Sequence, residues 1–114
     1  MSYEPEAGDL IWTDFDPRTG REQAGRRPAL VLSPVDFWRV SGCAIVCPIT
    51  TKVRPFGSSV VLPPDAPITG EILTSQVRSI DTQARPIAFA GSVAPESVLA
   101  EARAKLAVLI GLDG

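Results

Sequence analysis

Proline or glycine interrupts this chain every few residues, and that spacing limits what it can fold into. Eleven prolines and nine glycines fall among 114 residues. Proline removes a backbone donor and fixes φ, while glycine opens turn conformations, so the regular segments between them must be short. Such punctuation favours many short strands over long helices. Apolar residues still make up 45% of the chain, enough for a packed core. The length suits one domain, residues 1–114.

The spacing predicts a first strand over Gly8–Phe15 and, after Asp16-Pro17, a long polar loop. Pro28–Ser33 is the second strand, because proline at a strand's first residue costs no internal ladder bond. Val35–Arg39 suits one short helical turn and Cys43–Ile49 a third strand. A second polar loop runs from Thr50 to Gly57. Ser58–Leu62, Glu71–Gln76, Arg78–Thr82 and Pro86–Ser92 follow as further strands. Only the C-terminal segment reads as a helix. Pro95 and Glu96 suit its first turn, Leu99, Ala102, Leu106, Leu109 and Ile110 form an apolar stripe, and Gly111 caps its end. Glu101 and Lys105 form an i,i+4 pair on the other face. The expected fold is mainly β with a C-terminal α-helix, a small antiparallel barrel closed or flanked by that helix. Leu30-Val31-Leu32 and Ala44-Ile45-Val46 are apolar on both faces, whereas a strand with one wet face alternates. The helix is expected to cover part of the second face and another copy of the chain the rest.

Composition narrows the chemistry. The chain has no histidine, which excludes Ser-His-Asp and Cys-His catalysis and RNA cleavage by a histidine pair. Cys43 and Cys47 point to one face of a strand, and with no histidine or second cysteine pair they read as free thiols rather than zinc ligands. No metal or other cofactor is expected. The acidic first residues lack the basic and apolar regions of a signal peptide, and no apolar run could span a bilayer, so a cytoplasmic address is expected. The net charge of −2 is unusual for a nucleic-acid binder. Arg18, Arg21, Arg26, Arg27, Lys52 and Arg54 nevertheless concentrate in two short stretches and could form a local basic groove.

Several residues in those stretches could act on a phosphodiester. A planar arginine fork grips two phosphate oxygens and stabilises a negatively charged transition state. Arg27, where the long loop meets Pro28, is one candidate; on spacing alone it could equally be a solvated loop residue. Thr50, at the exit of the third strand, could donate to phosphate or simply bond its own turn backbone. Glu22 is the acid within the long loop and could act as a general base, or pair with Arg21 or Arg26. Trp12, Trp38 and Phe56 could stack on bases or belong to the core.

The residues themselves say more. Gly8-Asp9-Leu10-Ile11-Trp12-Thr13-Asp14-Phe15-Asp16-Pro17, then Gly20-Arg21-Glu22-Gln23-Ala24-Gly25-Arg26-Arg27-Pro28-Ala29-Leu30-Val31-Leu32-Ser33-Pro34, closely resemble the MazF/PemK family of toxin endoribonucleases. The match resumes at Val46–Thr51, Ser75–Ile80, Gly91–Glu96 and Val108–Gly111, and so covers nearly the whole chain in order. The resemblance implies an SH3-like barrel, a homodimer, sequence-specific cleavage of single-stranded mRNA and a neutralising antitoxin of acidic character. It places the catalytic arginine on Arg27, the catalytic threonine on Thr50 and the loop glutamate on Glu22. It implies RNA contact from Arg18, Arg21, Arg26, Lys52 and Arg54, and from Phe15, Ser33, Gln76 and Arg78 in the matched stretches. Arg26 stands where some relatives carry histidine, and could share the role of Arg27. Because arginine keeps its proton in proteins, Glu22 is the better base and Arg27 the better charge stabiliser. A toxin of the same fold that poisons DNA gyrase, and an inert SH3-like binding module, are the rival readings; the Glu22–Pro28 loop disfavours the first.

Overall fold

The computed structural model describes residues 3–15, 26–55 and 57–112. Its strands are β1 (Asp9–Asp14), β2 (Arg26–Val31), β3 (Cys43–Thr50), β4 (Val60–Val61), β5 (Glu71–Ile72), β6 (Arg78–Asp81) and β7 (Ile87–Val93). A short helix, α1 (Val35–Ser41), joins β2 to β3, and α2 (Glu96–Leu109) ends the chain. The neighbours run β4-β5-β3-β2-β1-β7, with β6 pairing the first half of β3, and every pair is antiparallel. The fold is therefore mainly β with a C-terminal helix, as expected. Closure into a barrel is not seen among the described residues, since β4 and β7 stand at the two ends of the ladder.

β3 organises this sheet by changing partners along its length. Cys43–Val46 pair with β6, whereas Ile49 and Thr50 pair with β5. The change falls at Pro48, which has no N–H to give, while its carbonyl accepts from Leu73 N–H at 2.9 Å. The strand expected over Glu71–Gln76 stops at Ile72 for a local reason. Thr74 donates its hydroxyl to the Ser58 carbonyl, and Gln76 N–H bonds back to Leu73 at 3.0 Å, turning Thr74–Gln76 into a 3-10 helix. The strand expected over Ser58–Leu62 is likewise only Val60–Val61.

The two apolar faces of β2 and β3 are both covered from within the chain. Leu10, Leu30, Cys47, Ile49, Val60 and Ile72 pack with Val98 and Ala102 of α2 on one side. Ile11, Phe15, Ala29, Val31, Ala44, Val46 and Ile80 form a second cluster, closed by Tyr3 and Ile87. The cover for that face comes from the segment ahead of β1 and from strands β6 and β7, where the sequence also left room for a second copy. Tyr3 stacks on Phe89 with ring centroids 5.4 Å apart and donates its hydroxyl to Asp9. Burial and that carboxylate raise the Tyr3 pKa and keep the phenol protonated.

The stripe on α2 buries only its first half. Val98 and Ala102 are buried, Leu99 and Leu106 pack at the edge, and Leu109 and Ile110 are 46% and 61% exposed. Lys105 pairs with Glu101 at 2.8 Å as expected, but its ammonium also reaches the Ser59 carbonyl at 2.8 Å, tying the helix to the strand beside it. Both cysteines are free, and burial pushes the Cys47 thiol up to about 12.

Candidate active site

Two prolines open the sheet where the candidate residues meet. Pro28 lies opposite Trp12 of β1, and Pro48 lies opposite Ala29 of β2. Neither ring nitrogen can donate a ladder bond. The β2–β3 pairing accordingly runs from Val31–Val46 to Ala29–Pro48 and stops. Continued two residues back on β2 and two forward on β3, that register would set Arg27 against Thr50, and both line one hollow. A pocket of about 320 Å³ opens there, lined by Phe15, Arg27, Thr50, Leu73, Gln76 and Arg78 together with Pro48 and Ile49. A second hollow of about 520 Å³ adjoins it, reaching Trp12, Arg26 and Ile68, and Arg27 and Ile49 line both.

Arg27 is therefore a strand residue, paired with Thr13 on β1, rather than the end of a loop. Its backbone is held on a rigid element while its side chain is exposed. The ion pairs among the described residues are Arg39–Glu4, Arg39–Asp36 and Lys105–Glu101, all remote from this pocket. Arg26, Arg27 and Arg78, which line the two hollows, thus form a cationic rim on a protein of net charge −2. The Thr50 hydroxyl accepts from Lys52 N–H at 3.1 Å, so the turn bond foreseen as an alternative does form. That bond orients the side chain and leaves the hydroxyl proton free to donate.

The far wall is built by Phe15 and two arginines. Arg78 lies 5.0 Å from the Phe15 ring centroid and donates to the Phe15 carbonyl at 3.0 Å. Arg85 donates to the same carbonyl at 2.6 Å and to that of Asp14 at 3.3 Å. Sequence reasoning missed Arg85, an arginine in a turn with nothing in its spacing to distinguish it. It also passed over Asp14, which sits directly across from Arg26 and whose Oδ1 is buried without a hydrogen-bond partner among the described residues.

The structure thus gathers Arg27, Thr50, Phe15, Gln76 and Arg78 around one pocket and Arg26 beside it. Lys52 and Arg54 are exposed on the segment leaving β3. Ser33 is not brought to the site: it is buried, its Oγ accepts from Ile45 N–H at 2.9 Å, and it lies near α2. Trp38 also lies elsewhere, donating its indole N–H to Thr82 at 3.0 Å, whereas Trp12 lines the larger hollow. Glu22, Arg18, Arg21 and Phe56 fall outside the described residues.

A family described as PemK-like, MazF-like toxin of type II toxin-antitoxin system matches residues 6–110. The endoribonuclease toxin MazF of Escherichia coli strain K12 is 46% identical over 109 residues, covering 96% of each chain. The endoribonuclease toxin ChpB of the same strain is 38% identical over 112 residues, covering 94% of this chain and 95% of its own. Among solved structures, a MazF from Deinococcus radiodurans superposes with a TM-score of 0.86 at 42% identity, covering 96% of this chain and 99% of that one. A MazE-MazF structure from the same organism gives a TM-score of 0.84 at 38% identity, covering 97% and 99%. With the match running through both strands that carry Arg27 and Thr50, this chain belongs to the PemK/MazF-like family of type II toxin–antitoxin toxins.

Proposed function

We propose that this protein is an endoribonuclease that cuts single-stranded mRNA at short sequence motifs, and that it arrests growth by blocking translation until an antitoxin neutralises it. The observation that supports this reading best is the arrangement of Arg27 and Thr50 across the open end of the β2–β3 ladder, in a pocket that also holds Gln76 and Arg78. The substrate supplies its own nucleophile. The ribose 2′-oxygen attacks phosphorus, its proton passes to the Glu22 carboxylate, and the bond from phosphorus to the 5′-oxygen breaks. The departing 5′-oxygen takes a proton from solvent. Products are a 2′,3′-cyclic phosphate and a 5′-hydroxyl. Arg27 stabilises the charge on the phosphorane, and Thr50 donates to a phosphate oxygen to hold it in line. Arg26, Lys52, Arg54 and Arg78 draw the backbone in, and Trp12, half-buried in the larger hollow, offers a flat face to an unstacked base; Phe15, buried with its ring against Arg78, acts by holding that arginine.

No step in this scheme needs a metal. Purified protein should therefore cut RNA in excess EDTA, and the downstream fragments should carry a 5′-hydroxyl that a polynucleotide kinase can label directly. Cleavage that appears only on adding magnesium, or fragments that need prior dephosphorylation, would overturn the mechanism.

The protein is also proposed to act as a homodimer. Val108, Leu109, Ile110 and Leu112 stay exposed at the end of α2, and Phe89 and Val93 on the edge strand β7, and these apolar side chains are the surface a second copy would cover. The antitoxin is expected to lay an acidic, extended segment along the cationic rim, and a related MazF has been solved with MazE. Sedimentation of the free chain at micromolar concentration should show a dimer; a monomer would count against the assembly.

A further inference from the structure

The segment that leads from Thr50 toward β4 is held by a carboxylate that the proposed chemistry does not use. Glu71 is fully buried on β5, where it pairs with Thr50 on one side and Val61 on the other. Its Oε1 accepts the backbone N–H of Arg54 at 2.7 Å, and its Oε2 accepts the Ser59 hydroxyl. One side chain therefore ties together two points of the connection that carries Lys52 and Arg54. Burying an acid costs several kcal/mol unless its oxygens are satisfied, and an apolar residue of similar size would hold a small hairpin without that cost. The acid does what leucine could not: it accepts the backbone N–H of Arg54.

The two tethered points differ in their other support. The Ser58–Ser59 end is also held by Thr74, which donates to the Ser58 carbonyl, and by Lys105, which donates to the Ser59 carbonyl at 2.8 Å. For Arg54, the hydrogen bond seen among the described residues is the one to Glu71. Loss of the carboxylate would leave β4, β5 and α2 joined and release chiefly the stretch that follows Thr50.

We propose that Glu71 is a positioning residue for RNA recognition, setting the path of residues 51–55 so that Lys52 and Arg54 meet the substrate in one register. This rests on the endoribonuclease reading above. The test compares Glu71→Leu, Ser59→Ala and, as a stability control, Thr82→Val with the unaltered protein, using steady-state kinetics on a short RNA and mapped 5′ ends on total transcripts. Glu71→Leu should raise KM about tenfold with kcat within about twofold, as expected when binding is lost equally from ground and transition states. Its cleavage motif should broaden. Ser59→Ala, which removes the hydrogen bond that Ser59 gives the carboxylate, should move both readouts the same way by about threefold. Thr82→Val removes two hydrogen bonds at the opposite end of β3, to the Trp38 indole and the Gly42 carbonyl, and should lower Tm while leaving KM and motif unchanged. Should Glu71→Leu not fold, Ser59→Ala decides: an unchanged KM and motif there overturns the proposal. So does a folded Glu71→Leu with unaltered KM and motif, a loss confined to kcat, or an equal shift in Thr82→Val. If the unaltered protein cuts no RNA, the functional reading itself fails and this inference with it.

Discussion

Replacing Arg27 with alanine should lower RNA cleavage by about a thousandfold, the upper range for removing one preorganised donor aimed at developing transition-state charge. The fold should survive. Arg27 is exposed, and none of the ion pairs among the described residues uses it; surface changes of that kind usually cost under about half a kcal/mol. Its backbone partners, Thr13 on β1 and the register toward Thr50, do not depend on the side chain. Because the loss concerns the phosphorane more than the bound RNA, it should fall on kcat rather than KM. Arg27→Lys separates charge from shape. Lysine keeps the cation but not the planar fork, so it should recover no more than about tenfold of the loss. Full activity in a folded Arg27→Ala protein would remove Arg27 from the mechanism, and full rescue by lysine would reduce its part to that of a point charge.

What makes Arg27 and Thr50 legible in the sequence is the match of whole motifs, since their spacing alone leaves each ambiguous. What cannot be read there is why they meet. That depends on strand register, which a chain fixes only when its turns and core close. Pro28 and Pro48 are visible as breakers, but only the register shows them at the same end of one ladder, where the absence of two donors leaves a gap. Gln76 and Arg78 reach the pocket because Thr74–Gln76 coils into a 3-10 helix instead of continuing β5, and that turn follows from a side-chain bond to Ser58, sixteen residues away. Ser33 misses the pocket for the opposite reason. It lies in a matched motif, yet alternation along the chain after β2 directs its hydroxyl to Ile45 N–H and not to the site. The doubly apolar strands reveal in the sequence that both faces are covered, but not by what: Tyr3, Ile80 and Ile87 come from three separate segments. Glu71 reads as an ordinary strand-edge acid, because burial of a polar residue is a tertiary fact with no local signature.

Gly70→Ala should be the most damaging small substitution in the described structure for stability, and it should also reach the active site. Gly70 adopts φ +141°, a region that residues with a side chain rarely enter. A Cβ there would lie 2.5 Å from the Thr50 carbonyl oxygen and 2.9 Å from Ile49 Cγ2. Neither neighbour can retreat. Ile49 and Thr50 are fixed by their pairing with Ile72 and Glu71, and the Gly70 carbonyl itself accepts from Leu62 N–H at 2.9 Å. Backbone strain and overpacking should together cost about 3 kcal/mol, lowering Tm by roughly 15 °C for a domain of this size. Gly42 provides the contrast. It caps α1 at φ +76°, and a Cβ added there would meet nothing within 4 Å. Gly42→Ala therefore meets the conformational penalty without the clash and should cost about 1 kcal/mol. If the clash displaces β3 at Thr50, Gly70→Ala should lose cleavage activity even well below its Tm, while Gly42→Ala, far along β3 from the pocket, keeps it. Equal effects of the two alanines on Tm would show that φ alone matters at Gly70. Full activity in folded Gly70→Ala would show that the Thr50 backbone can shift without consequence for the reaction.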